Sequence, residues 1–182
     1  MRRTSQIVHR LVQTLAYFSE YALGSVETHV HVYDKIGSDI GNGGITAFYT
    51  PTGNEHVPAD HFAISLSSVK SLLQQVDNRT GDLYLLAIAI HETRHRLQAH
   101  SRVEMLNPSF LLPKRISREV WRAVRMYPSD DIPHELDAFT LQKLFQLIAH
   151  FGPKRGYRDL ESVGAEMLTM TARELKAFAE AT

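Results

Sequence analysis

One stretch constrains this chain more than any other: residues 83–100, LYLLAIAIHETRHRLQAH. Residues 83–90 are apolar apart from Tyr84, and they run without a break into His91, Glu92, Thr93, Arg94 and His95. A helix that is apolar on all sides belongs in the middle of a fold, not on its surface. On such a helix His91 and His95 project from one face, a single turn apart. Two imidazoles so placed can hold one Zn²⁺ at about 2.0–2.1 Å each. Glu92 lies about 100° round the helix, outside that coordination direction but within reach of a metal-bound water. This is the HExxH arrangement, in which a metal lowers the pKa of water and the glutamate takes its proton. Two His and a Glu continuing an apolar helix are costly to bury without a partner, so a metal site is expected here rather than an exposed His pair.

Composition narrows the alternatives. A chain of 182 residues with 43% hydrophobic content can bury the core of one domain. Twenty basic and twenty acidic residues balance, so no bulk electrostatic case exists for a nucleic-acid or membrane partner. Cysteine is absent, which excludes a disulfide framework, thiolate metal sites and a Cys nucleophile. It also excludes the peptide deformylase version of HExxH, which needs a Cys ligand. The N-terminus begins with two Arg and turns apolar, but His9, Arg10, Gln13 and Thr14 interrupt any signal-peptide core. Ile7, Leu11, Leu15 and Phe18 instead fit helical spacing. No segment has 18 uninterrupted apolar residues, so a soluble, cytoplasmic protein without a membrane partner is expected.

In chain order, residues 4–23 read as an amphipathic helix ending near Gly24. Residues 26–36 alternate as a strand, with Glu27, His29, His31 and Tyr33 on one side. His29 and His31 have a spacing that can bind metal, but with no third ligand nearby they read as polar residues on a solvated sheet face. Residues 37–44 (GSDIGNGG) form a turn, since no GxGxxG or P-loop is present. Strands follow at 44–50 and 60–66, separated by a loop carrying His56. Ser67 or Ser68 caps a helix to about residue 76, and Thr80 caps the central helix, 82–100. The chain is irregular from 101 to 113. Residues 114–125 form a short helix with Arg115, Arg118, Arg122 and Arg125 along one stripe and Ile116, Val120, Ala123 and Val124 opposite. The basic stripe reads as a solvated face. A second long helix covers 132–151, marked by Asp131 and Pro133 at its start and Gly152-Pro153 at its end. Leu141, Leu144, Phe145 and Ile148 form its buried stripe. Residues 157–164 look helical, and Thr171 with Glu174 forms a capping box before a last helix to residue 181.

A catalytic zinc takes three protein ligands and keeps one position open, so a third group must come from another element. Glu135, in the first turn of the 132–151 helix, is the natural candidate. Asp137 points nearer the buried stripe and competes for the role. It could instead orient a ligating imidazole through its second ring nitrogen, or pair with Arg94. His134 is a further alternative.

With these residues in place, the sequence resembles the gluzincin branch of the HExxH zinc metallopeptidases, in which a later helix carries a Glu ligand in an ExxA setting. Here that segment is Glu135-Leu136-Asp137-Ala138, and the acid that often follows the Ala is Phe139. The order of elements follows the branch over about two-thirds of the chain, as judged from the motif positions, and among its members the chain resembles the small minigluzincins. The resemblance implies an α+β, zincin-like single domain over residues 1–182. Its small, mostly antiparallel twisted sheet would pack on a central HExxH helix, with further helices C-terminal. It implies a zinc ion on His91, His95 and Glu135, peptide-bond hydrolysis with Glu92 as general base, and a peptide or protein substrate laid along an edge strand. Residues 45–50 or 60–66 would supply that edge. Tyr127, Tyr157, Arg94 and His100 are possible donors to the oxyanion, with none assigned. Two other classes stand beside this one. The first is a catalytically silent or regulatory metal-binding domain that acts through protein binding. Glu92 argues against it, since metal binding needs only the three ligands. The second is a nucleic-acid-associated factor using the arginine stripe.

Overall fold

The structure is a computed structural model, and it describes residues 2–24, 26–34, 47–54, 57–100, 103–153 and 155–182. The elements are α1 (Arg2–Leu23), β1 (His29–Tyr33), β2 (Ala47–Thr50), β3 (His61–Ser65), α2 (Leu66–Gln75) and α3 (Asn78–His100), then α4 (Pro108–Leu111), α5 (Lys114–Val124), α6 (Ile132–Phe151), α7 (Tyr157–Thr169) and α8 (Ala172–Ala181). The class is α+β, mostly helical with a three-stranded sheet. The expected turn at 37–44 and His56 lie outside the described residues.

The apolar run makes α3 the centre. Leu85, Leu86, Ala87, Ala89 and Ile90 are buried on every side, and α3 packs against α1, α6, α7 and β2. Leu11, Leu15 and Phe18 of α1 are fully buried, as their spacing predicts, with Ile7 at the margin. Leu141, Leu144, Phe145 and Ile148 of α6 are buried as well. The approach of α7 depends on Gly164. A methyl group there would lie 2.9 Å from Phe18 and 3.0 Å from Ile90, closer than side-chain atoms pack.

The sheet has the order β1-β3-β2. β3 pairs with β1 in parallel and with β2 antiparallel, so the expectation of a mostly antiparallel sheet is corrected. Alternation in a sequence reports which face a side chain takes and says nothing of strand direction. Phe62 and Ile64 of β3 and Tyr49 of β2 face the core. Among the described residues β3 is the central strand, so β2, beside α3, offers the edge next to the HExxH helix.

Several helix starts differ from expectation by a few residues. Ser65, not Ser67 or Ser68, caps α2 by accepting from the Ser68 N–H. α3 begins at Asn78 because the Asp77 carboxylate accepts from the N–H and hydroxyl of Thr80, which makes Asp77 the cap. The region read as irregular contains one turn, α4, capped by Asn107. The Thr171–Glu174 capping box forms as expected, and α7 runs on to Thr169. In α5 Val120 and Val124 are buried while Arg115, Arg118, Arg122 and Arg125 are exposed. No helix among the described residues is long and apolar enough to cross a membrane.

Candidate metal centre

The last turns of α3 carry His91 and His95, and the first turn of α6 brings Glu135 across to them. The Nε2 atoms of His91 and His95 are 3.1 Å apart. Glu135 Oε2 lies 3.4 Å from His91 Nε2, and its Oε1 lies 3.5 Å from His95 Nε2. Ligand atoms about 2.0–2.1 Å from a tetrahedral ion sit about 3.3 Å from one another. The two imidazole nitrogens are close to that spacing, and the Glu135 carboxylate turns one oxygen towards each of them at a similar distance. His91, His95 and Glu135 could hold a metal ion.

Protonation fits the same picture. The Gln98 side-chain NH₂ donates to Asp137 Oδ2 at 2.6 Å and to the His134 carbonyl at 3.0 Å. That leaves the Gln98 carbonyl oxygen, 2.9 Å from His95 Nδ1, to accept. In its neutral form His95 then carries its proton on Nδ1 and turns the Nε2 lone pair to the centre. Glu135 Oε2 is buried, and among the described residues no hydrogen-bond donor meets it in good geometry, although the His91 ring is within Coulombic range. Such a cluster favours a positive charge at its middle. Burial alone would lower the His95 pKa. The Glu135 hydrogen bond and the charges of Glu92 and Glu135 outweigh that and hold it at about 9. Burial would raise Glu135, but its contacts with His91 and His95 bring it down to about 2.

Glu92 sits beside this trio and is buried. Its Oε2 accepts from the Tyr49 N–H of β2 at 2.9 Å. Burial pushes its pKa up, with the Glu135 charge adding to that and His91 and His95 opposing it.

The structure separates the two acids of α6. Asp137 is fully buried and faces away from the trio. It accepts from Arg94 Nε at 2.7 Å and Nη2 at 3.0 Å, and from the Leu106 N–H at 2.9 Å. Arg94 also donates to the Glu104 carbonyl at 2.7 Å, so the pair ties α3, α6 and the segment before α4 together. Asp137 thus reaches His95 only through Gln98, and does not bond an imidazole directly. His134 contributes its carbonyl to Gln98 and is not in the trio. Gln98 carries no motif that marks it in the sequence, although its place three residues after His95 puts it on the same helix face.

The two imidazoles are supported unequally. His91 Nδ1 is buried and has no hydrogen-bond partner among the described residues. The Phe139 ring meets His91 edge to face, with centroids 4.5 Å apart. Phe139, one residue after Ala138, thus sets beside His91 an aromatic ring that cannot accept a proton.

Among the described residues, two clefts flank the trio. One of about 350 Å³ is lined by Ala47, Phe48, Tyr49, Ile88, Tyr127, Phe139 and Gln142 together with His91, Glu92, His95 and Glu135. The other, of about 430 Å³, is lined by Tyr49, Pro51, Gln98, Ala99, Asp131 and His134 with His95 and Glu135. Of the four candidate oxyanion donors, only Tyr127 lines a cleft at the trio. Tyr157 hydrogen-bonds Thr14, Arg94 is committed to Asp137, and His100 contacts Asp60.

The Asp60 cluster has no signature in the sequence, because its members are gathered from separate elements. Asp60 adopts φ 60° and accepts from Arg96 Nε and Nη2 at 3.0 and 2.9 Å, from the Tyr49 hydroxyl at 2.8 Å, and contacts His100 Nε2 at 2.6 Å. The fully buried Arg96 side chain donates also to Thr28 and to the Glu27 carbonyl, locking the sheet against α3.

Comparison of the chain with known protein families, with curated proteins and with solved structures finds no significant match.

Proposed function

We propose that the protein is a zinc-dependent metallopeptidase with a zincin-like arrangement of the gluzincin kind. The observation that carries this reading is the convergence of His91, His95 and Glu135 within reach of one ion, with the buried carboxylate of Glu92 next to them. Two imidazoles and a carboxylate suit zinc, and three protein ligands leave a position open. When bound, the zinc supplies Lewis-acid polarisation of a scissile carbonyl and a lowered pKa for water.

The chain's own residues do the rest. The Tyr49 N–H fixes one oxygen of Glu92, which leaves the other to take a proton from water and hand it to the departing amine. A raised pKa suits that double duty, because the group must both accept and release the proton. Tyr127 is the donor best placed for the oxyanion. Burial, and then the charges of Glu135 and Glu92, push its phenol up to about 12, so it keeps the proton it would share. An extended peptide would lie along β2, with the two clefts taking side chains on either side of the cleaved bond.

The test is cleavage of a fluorescence-quenched peptide library by the zinc-loaded chain, beside Glu92→Gln. The wild type should cleave. Glu92→Gln should keep its zinc and lose about 10²–10⁴ of the rate. A folded wild type holding one zinc that cleaves no peptide, or a variant that cleaves as fast as wild type, would remove the peptidase reading and leave a metal-binding domain.

A further inference from the structure

A second group of histidines lies on the sheet. Residues 29 and 31 alternate along β1 and so share a face. The parallel register places His61 of β3 opposite His29 and Ala63 opposite His31. All three imidazoles therefore stand on one face, the reverse of that on which Phe62 and Ile64 enter the core. His31 Nε2 and His61 Nδ1 are only 2.7 Å apart. The His61 ring centroid is 4.5 Å from that of His29 and 4.9 Å from that of His31. The Glu27 carboxylate is 3.7 Å from His29 Nε2.

We propose that His29, His31 and His61 form a second metal site that takes a divalent cation of the class imidazole prefers and clips β1 to β3. Two ring nitrogens 2.7 Å apart share a single proton; opened to about 3.3 Å, the spacing of tetrahedral ligands, both would turn a lone pair to one cation. Three imidazoles make a recognised zinc donor set. Zinc, nickel and copper all suit it. The third donor needs His29 to turn about its side-chain torsions, since the three nitrogens do not yet converge as those of the first trio do. His29 is 44% exposed and free to do so. Glu27 brings a negative charge beside the cation.

This site does not depend on the peptidase reading. The test is equilibrium dialysis of the full chain against zinc, with bound metal measured per chain after removal of loose ions. The background is His91→Ala/His95→Ala, which empties the first trio. That chain should still bind one zinc. Adding His31→Ala or His61→Ala should weaken the remaining affinity at least tenfold, whereas adding the exposed, distant His9→Ala should leave it unchanged. Cobalt in place of zinc should give a visible absorption band that the same two substitutions remove. Circular dichroism and Tm check that each variant is folded. His29→Ala, which changes the most exposed of the three rings, serves if the others do not fold. The proposal falls if the double-alanine background binds no metal, or if its binding is the same with and without His31, His61 and His29.

Discussion

Glu135 and Asp137 stand two residues apart on α6, and substituting each by its amide should give opposite signatures. Asp137 is fully buried and accepts from Arg94 Nε, Arg94 Nη2, Gln98 and the Leu106 N–H. Asparagine offers one oxygen to these donors and turns an NH₂ toward the rest, while the Arg94 charge stays buried and uncompensated. Breaking one side of a buried, hydrogen-bonded ion pair costs about 3–5 kcal/mol. A chain of 182 residues loses about 2–4 °C of Tm per kcal/mol, so Asp137→Asn should lower Tm by about 6–20 °C. Zinc at a hundredfold its Kd stabilises by about 2.7 kcal/mol, which is about 5–11 °C. The assay is a thermal melt of each variant, made in a His31→Ala background that lacks the sheet site, with and without zinc. In Asp137→Asn the baseline falls and a zinc-induced rise persists, reduced because Gln98 holds His95 less firmly. In Glu135→Gln the zinc-induced rise disappears. If Asp137→Asn instead keeps its baseline and loses the rise, while Glu135→Gln keeps it, then Asp137 is the ligand and the geometric assignment is wrong.

Gln98→Ala leaves His91, His95 and Glu135 in place but frees the His95 ring, and zinc affinity measured by competition with a chelating dye should fall about 10–100-fold. Gly164→Ala drives a methyl group against Phe18 and Ile90, so urea unfolding should show a loss of about 1–3 kcal/mol. A pH effect resides in Asp60. Burial would raise its carboxyl, but hydrogen bonds from Arg96, His100 and Tyr49 hold it at about 2 against an ordinary 3.8. Its folded pKa is depressed, so its contribution is complete above pH 3.8 and disappears as pH falls through 2. Asp60→Asn should therefore flatten the acid limb of the stability curve between those values, as read by denaturant midpoints; an unchanged limb would place the acid sensitivity elsewhere.

Much of this protein is legible in local chemistry alone. An apolar run has to be buried, and that is enough to put α3 at the centre. The helical period sets His91 and His95 on one side with Glu92 beside them. The amphipathic stripes of α1, α5 and α6 and the Thr171–Glu174 box are equally local facts, carried by side chains within a turn or two of each other. Contacts across the chain are a different matter. Helical phase points Asp137 inward, but only packing decides that Arg94 and Leu106 satisfy it, and that Gln98 stands between it and His95. Which of Glu135 and Asp137 meets the imidazoles is decided in the same way, by the carboxylate that the crossing of α3 and α6 brings to them. Strand alternation places His29 and His31 on one face, yet it gives no sign of a third partner, because nothing local reveals that β3 lies parallel alongside β1. That pairing brings His61 to His31 across 30 residues of sequence, ample for a parallel crossover, which needs about a dozen or more. Residue type and spacing determine what a side chain is able to do, and the crossing angles and strand order of the folded chain determine which others it meets.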